Sequence, residues 1–299
     1  MTSLATVFGA PADVRRGILW MLATTIFFTS LDTTAKWLTH SLPVAEIVWG
    51  RYLFHAIFGM LWAGRSLPTV LLHARFGAQA LRGIFLVATT ALYFYAIRTM
   101  PIADATSINF MAPILVTALS VPLLGEPVGL RRWIGVAVGF AGAMIIVRPG
   151  SGVMQLPALL VLIAAAINAL YQIMTRVLSR TDMPMTTNVY SALVGTALAA
   201  LALPFDWVTP DLEGWLLLVL AGLFGAIGHY CMIKSLALAP AAAVVPFSYV
   251  GLLWAAIYGV LLFGDWPDVW TILGALIIAM SGLYIFYRGE AKKREAPQA

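Results

Sequence analysis

Charge is scarce in this chain: only 10% of its 299 residues are Asp, Glu, Lys or Arg, where soluble domains carry about a quarter. With 61% hydrophobic residues and a mean hydropathy of +0.91, that scarcity excludes a water-soluble globular fold. Cysteine is nearly absent. Cys231 stands alone in an apolar run, so no intramolecular disulfide forms and a small packing role suits it. There is no Gly-Lys dipeptide, hence no Walker-type phosphate loop, and neither His-Glu-x-x-His nor Gly-x-Ser-x-Gly occurs. A chain that hydrolyses ATP itself is thereby excluded, as are the two commonest hydrolase signatures. His40, His55, His73 and His229 show no metal-ligand spacing, and neither a metal nor a cofactor is expected.

What the chain does have is long apolar runs. A bilayer core about 30 Å thick takes about 20 apolar residues per helix. Runs bounded by Pro, Gly or charge fall at 17–39, 43–63, 79–98, 101–124, 131–148, 157–178, 184–204, 213–237, 240–263 and 267–287. The expectation is an all-α membrane protein with ten transmembrane helices in one compact domain. Ten is even, so both ends share a side. That side collects 14 of the 18 basic residues, Arg15, Arg16, Arg65, Arg75, Arg82, Arg131, Arg132, Arg176, Arg180, Lys234, Arg288, Lys292, Lys293 and Arg294, and leaves Lys36, Arg51, Arg98 and Arg148. The positive-inside rule predicts both termini on the cytoplasmic side. A net charge of +5 sorted in this way calls for lipid and not for nucleic acid. Residues 1–16 and 288–299 are expected as cytoplasmic segments, the second a basic tail beside anionic lipid.

The runs repeat. Pro101-Ile102-Ala103 and Leu124-Gly125-Glu126 return as Pro240-Ala241-Ala242 and Phe263-Gly264-Asp265, both at an offset of 139 residues that also pairs Gly135 with Gly274. This indicates two five-helix repeats, 17–148 and 157–287. Five is odd, so the second copy runs through the membrane inverted, the pattern of secondary carriers that alternate access around a central cavity. These motifs, with Asp32, Lys36, Glu46 and Arg51 in the first two runs, resemble the EamA branch of the drug/metabolite transporter superfamily over 17–287, and within it ten-helix bacterial amino-acid exporters. The resemblance implies a basket of ten helices around a central cavity and export of a small molecule, aromatic or neutral amino acids foremost. Uptake of S-adenosylmethionine, riboflavin or a nucleotide sugar stands beside it, and an intramembrane enzyme is the alternative of another class. The implied partners are a small-molecule substrate and the bilayer, for a monomer with a homodimer left open.

Buried charge narrows the candidates. Each ionisable residue at the centre of a span costs about 2.5–3.5 kcal/mol. Asp32, Lys36, Glu46 and Arg51 are therefore expected to neutralise one another, Asp32 with Lys36 four residues on, as a gate or coupling network or as a static brace. Pro113 frees the carbonyl of Asn109, and Pro246 that of Ala242. At the 139 offset Asn109 matches Ser248 and Phe110 matches Tyr249, so a polar residue followed by an aromatic one recurs near the centre. Tyr93, Tyr95, Tyr171, His229 and Tyr230 join them in a mostly neutral aromatic cavity, with mid-span Trp254 as a further lining residue or core filler. Asp32 and His229 are expected in opposite leaflets, which argues against a catalytic pair. The small residues Gly135, Gly139 and Gly142 against Ala275, Ala279 and Gly282 suit a seam between repeats or a dimer contact.

Overall fold

The computed structural model describes residues 11–72, 75–124, 129–148, 155–178, 182–239 and 244–295, and no strand occurs among them. The helices are α1 (Pro11–Leu38), α2 (Val44–Ala63), the short α3 (Leu67–Leu72), α4 (Phe76–Ile97), α5 (Ile102–Asn109), α6 (Ala112–Leu124), α7 (Leu130–Val147), α8 (Gln155–Leu178), α9 (Pro184–Ala200), α10 (Leu212–Leu238), α11 (Gly251–Tyr258) and α12 (Val269–Glu295). Among the described residues, 7 helices are long and apolar enough to cross a membrane, and shorter apolar helices cover Trp133–Val147, Phe247–Phe263 and Val269–Ile285. Each expected run is helical over its described part, with ends shifted by a few residues. The helix of the last run continues to Glu295, through most of the expected tail.

Two runs are interrupted, and proline explains where. α5 stops at Asn109, a turn holds Phe110 and Met111, and α6 begins at Ala112. Pro113 has no N–H for the Asn109 carbonyl, and the ladder tightens there, with Met111 N donating to the Ile108 carbonyl at 2.9 Å. The ninth run opens as a 3₁₀ segment (Val245–Val250) with Pro246 in its first turn, continues as α11, and ends in a π-helical turn (Gly259–Phe263). Gly264 closes that turn at φ 70°, a left-handed conformation open to glycine without a Cβ penalty. Gly125, Glu126 and Pro240–Ala242, parts of the repeated motifs, lie outside the described residues.

The most extensive packing joins a helix of the first half to one of the second: α1 with α10, α4 with α8, α7 with α12, and α2 with both α9 and α10. The α7–α12 seam depends on missing side chains. A Cβ on Gly274 would come within 2.6 Å of the Gly142 carbonyl oxygen, and one on Gly142 within 3.1 Å of the Gly274 carbonyl oxygen. Gly135, Gly139 and Gly142 therefore face α12 within one chain, against Gly274, Ile277, Ser281 and Ile285 and not against the expected Ala275, Ala279 and Gly282, the last of which faces Tyr249. Ser281 Oγ crosses the same seam to the Gly135 carbonyl at 2.5 Å. Large apolar side chains such as Leu61, Leu130, Leu253, Leu261 and Met280 stay exposed on the outside, the surface that lipid tails cover. Hydroxyls inside the bundle are satisfied locally, as where Thr29 and Thr33 donate to the carbonyls four residues back at 2.8 and 2.7 Å.

Candidate functional site

At the end of the bundle away from the termini, the expected Asp32–Lys36 pair does not form. Lys36 sits in the last turn of α1, and its long stem carries Nζ past the helix end to Asp265 Oδ2 at 2.5 Å and the Met100 carbonyl at 3.1 Å, over the Phe263 ring. Glu46 is separate again: Oε2 accepts from the Val208 N–H at 3.2 Å, and Oε1 has no partner. Two further links tie the halves together here, Arg148 to Asp268 at 2.7 Å and Thr271 Oγ1 to Asp104 Oδ1 at 2.7 Å. The four charges read together in the sequence thus divide into an inter-half tie at Lys36, a loop brace at Glu46, and a central pair.

That central pair is Asp32 and Arg51. The Tyr93 hydroxyl lies between the half-buried Asp32 carboxylate and Thr106 Oγ1, 3.1 Å from the latter. Arg51, buried between α2 and α4, donates from Nη1 to Thr90 Oγ1 at 3.0 Å and lies over the Tyr52 ring at 4.6 Å, while its Nε has no partner. The Tyr52 and Thr90 hydroxyls are 2.7 Å apart. On α2, one turn beyond Arg51, His55 Nε2 donates to Asn188 Oδ1 at 3.0 Å. His229 donates from Nδ1 to the Gly225 carbonyl at 2.9 Å and lies beside His55, ring centroids 5.3 Å apart. Phe28, one turn before Asp32, packs edge-on against His229 at 4.9 Å. Phe28 thus meets His229 one turn before Asp32, and no hydrogen bond, ion pair or ring contact joins Asp32 to His229.

Arg82, assigned from the sequence to the basic rim, is instead buried among second-half groups. Its Nε donates to Thr175 Oγ1 at 2.7 Å, Nη1 to the Thr187 carbonyl at 3.1 Å and to Ser191 Oγ, and Nη2 to the Tyr171 hydroxyl at 2.6 Å. Gln79, one turn earlier on α4, donates to Asp182 and Thr187. Tyr171 thus belongs to the interior as expected, held by a cation the sequence reading left outside. Gln79 and Arg82 at i, i+3 on an otherwise apolar helix were the available signal.

The offset pair meets. Phe110, in the break between α5 and α6, stacks on Tyr249 of the 3₁₀ segment with centroids 4.8 Å apart at 28°. Gly251 faces the Phe110 ring edge, and Tyr258, 6.4 Å from Trp254, reaches Ser30 of α1 at 3.5 Å. Asn109 Oδ1 and Trp254 Nε1 are both buried without partners, and Ser248, next to Tyr249 in sequence, is half-buried. Two expected lining residues lie elsewhere. Tyr95 is 55% exposed, because two residues from Tyr93 is about 200° around a helix. Tyr230 packs with Trp20 at 6.1 Å and Trp62 at 5.3 Å, under Lys234, in a cluster toward the end that carries the termini.

The EamA-like transporter family matches this chain twice, over residues 15–148 and 155–287. Among similar proteins, an S-adenosylmethionine uptake transporter of Rickettsia prowazekii is 28% identical over 91% of this chain and 92% of its own length. A riboflavin transporter of Vibrio cholerae is 32% identical, over 90% of this chain and 92% of its own. One crystal structure shares the fold with a TM-score of 0.62 at 20% identity, covering 92% of this chain and 99% of the other.

Proposed function

Since the chain belongs to the EamA-like transporter family, and so is a multi-pass membrane transporter and not an enzyme, we propose that it is a secondary carrier working by alternating access in a bacterial inner membrane, with ten spans in two inverted repeats. The two family matches and the pairing of first-half with second-half helices support the repeats, and the sorting of basic residues supports cytoplasmic termini. The cargo is a small amphipathic metabolite with a flat ring, and export of aromatic amino acids is the first reading. One observation carries it: Phe110 and Tyr249 stack where two proline-broken helices face each other. Aromatic faces exposed by parting these rings suit a ring between them, as aromatic pairs gain about 0.5–1.5 kcal/mol beyond area burial. Proline breaks in a span free backbone carbonyls where a polar cargo needs partners.

Uptake of S-adenosylmethionine is the second reading, favoured by the Rickettsia relative, and that molecule is itself an α-amino acid joined to an adenine ring. The test is flux in liposomes holding the purified protein, with labelled phenylalanine, tryptophan, S-adenosylmethionine and riboflavin, each with and without a pH gradient. Phenylalanine or tryptophan flux that falls at least tenfold in Tyr249→Ala and Phe110→Ala is the expected result. Flux unchanged in both variants overturns the ring site. Direction is read in cells: expression should raise tolerance of a toxic aromatic amino-acid analogue, and greater sensitivity would make the carrier an importer.

A further inference from the structure

Asp32 and Arg51, an acid and a base, lie in one neighbourhood, yet no atoms of the two approach to ion-pair distance. Each is held by a neutral neighbour instead, Asp32 by the Tyr93 hydroxyl and Arg51 by Thr90. Arg51 is 5% exposed and its Nε donor is unused. Opposite charges attract more strongly the less solvent screens them, and these two groups nevertheless stay apart. Two counter-charges that stand apart in this way are suited to a ligand that brings both of their partners. Arg82, the other buried guanidinium, is not available for this, because Tyr171, Thr175, Thr187 and Ser191 occupy its donors.

Resting on the carrier reading above, we infer that Asp32 and Arg51 clamp the zwitterionic head of an α-amino acid, the ammonium at Asp32 and the carboxylate at Arg51. An α-amino acid carries its two charges on one carbon, which bridges a gap too wide for direct pairing. The planar guanidinium fork matches a carboxylate, and its unused Nε lies on an edge able to take one. The ring end of such a cargo has its place close by. Tyr93 joins Asp32 to Thr106, and Thr106 lies one turn before Phe110, whose ring stacks on Tyr249.

Trimming the cargo tests the clamp in the wild-type protein. In proteoliposomes, phenylalanine should move at least tenfold faster than phenethylamine, which lacks the carboxylate, and 3-phenylpropionate, which lacks the ammonium. Arg51→Gln should bring phenylalanine down to the phenethylamine rate, Asp32→Asn should bring it down to the 3-phenylpropionate rate, and Arg51→Lys should keep part of the preference. Equal wild-type rates for all three solutes overturn the clamp while leaving the carrier intact, as do variants that slow all three by one factor. Riboflavin flux without amino-acid flux also overturns the clamp and keeps the carrier with another cargo. No flux of phenylalanine, tryptophan, S-adenosylmethionine or riboflavin sinks both readings. If Arg51→Gln is not recovered folded, the wild-type series decides alone.

Discussion

The first half of the chain buries Lys36, Glu46, Arg51, Arg82 and Asp104, and the second half buries Asp182 alone among those of its Asp, Glu, Lys and Arg residues whose side chains are described. The second half answers mostly with neutral groups: the hydroxyls of Tyr171, Thr175 and Ser191 and the Thr187 carbonyl around Arg82, and Asn188 beside His55. The backbones of the halves interleave helix by helix, so the contrast is one of chemistry laid over matched packing. A site built this way has one charged wall and one neutral wall. Such a wall pair distinguishes the two ends of a cargo, which two identical walls could not do.

Arg82→Met would break the contrast most severely. It strands Tyr171, Thr175 and Ser191 without their donor, and with charged hydrogen bonds worth about 1.5–3 kcal/mol each, the loss should be on the order of 3 kcal/mol or more. Thermal unfolding of the purified protein should show a large fall in Tm; an unchanged Tm would mean that the neutral wall does not depend on the charge. Lys36→Met or Asp265→Asn tests the place where the second half does contribute a charge. Asp265 is 27% exposed at its side chain, so water takes over part of the lost pairing and each change should cost about 2 kcal/mol, below the range for fully buried pairs. The double exchange Lys36→Asp with Asp265→Lys should recover part of the stability, and no recovery would deny the tie.

Gly274→Ala probes the matched packing and should cost about 1–2 kcal/mol by overpacking against the Gly142 carbonyl, with Gly142→Ala following at a lower cost. A neutral outcome at both would show that α7 and α12 separate freely. Asp268→Asn should matter least. The Arg148–Asp268 pair is 35% and 43% exposed, and exposed pairs contribute about 0–1 kcal/mol. Its effect should vanish in concentrated salt, and persistence there would mark the pair as more than a surface contact.

The apolar helices were legible because membrane thickness imposes a length that apolar runs must approach, and 7 of them meet it among the described residues. Phe110 and Tyr249 were legible for another reason: the 139-residue offset matched them across the repeat before any contact was known, and proline located the breaks. The partner of Lys36 was not legible. Asp32 is the nearest acid along the helix, while Asp265 lies 229 residues away in sequence and is brought in by the turn after α11. Arg82 was misplaced because a cation three residues into a run looks like an interfacial anchor, and the hydroxyls that bury it come from two other helices. Tyr95 could have been set aside on helical geometry alone, since it and Tyr93 cannot face one cavity.

The neutral coordination of Arg82 also bears on descent. Two stretches of this chain match the same family, but neither could now stand in for the other. A gene fusing two copies of the first stretch would bury Arg82 twice and supply no Tyr171 or Ser191 to receive it. A fusion of two second stretches would set out hydroxyls with no cation to gather them. A change at Arg82 is therefore felt in the other stretch, where Tyr171, Thr175, Thr187 and Ser191 gather around it.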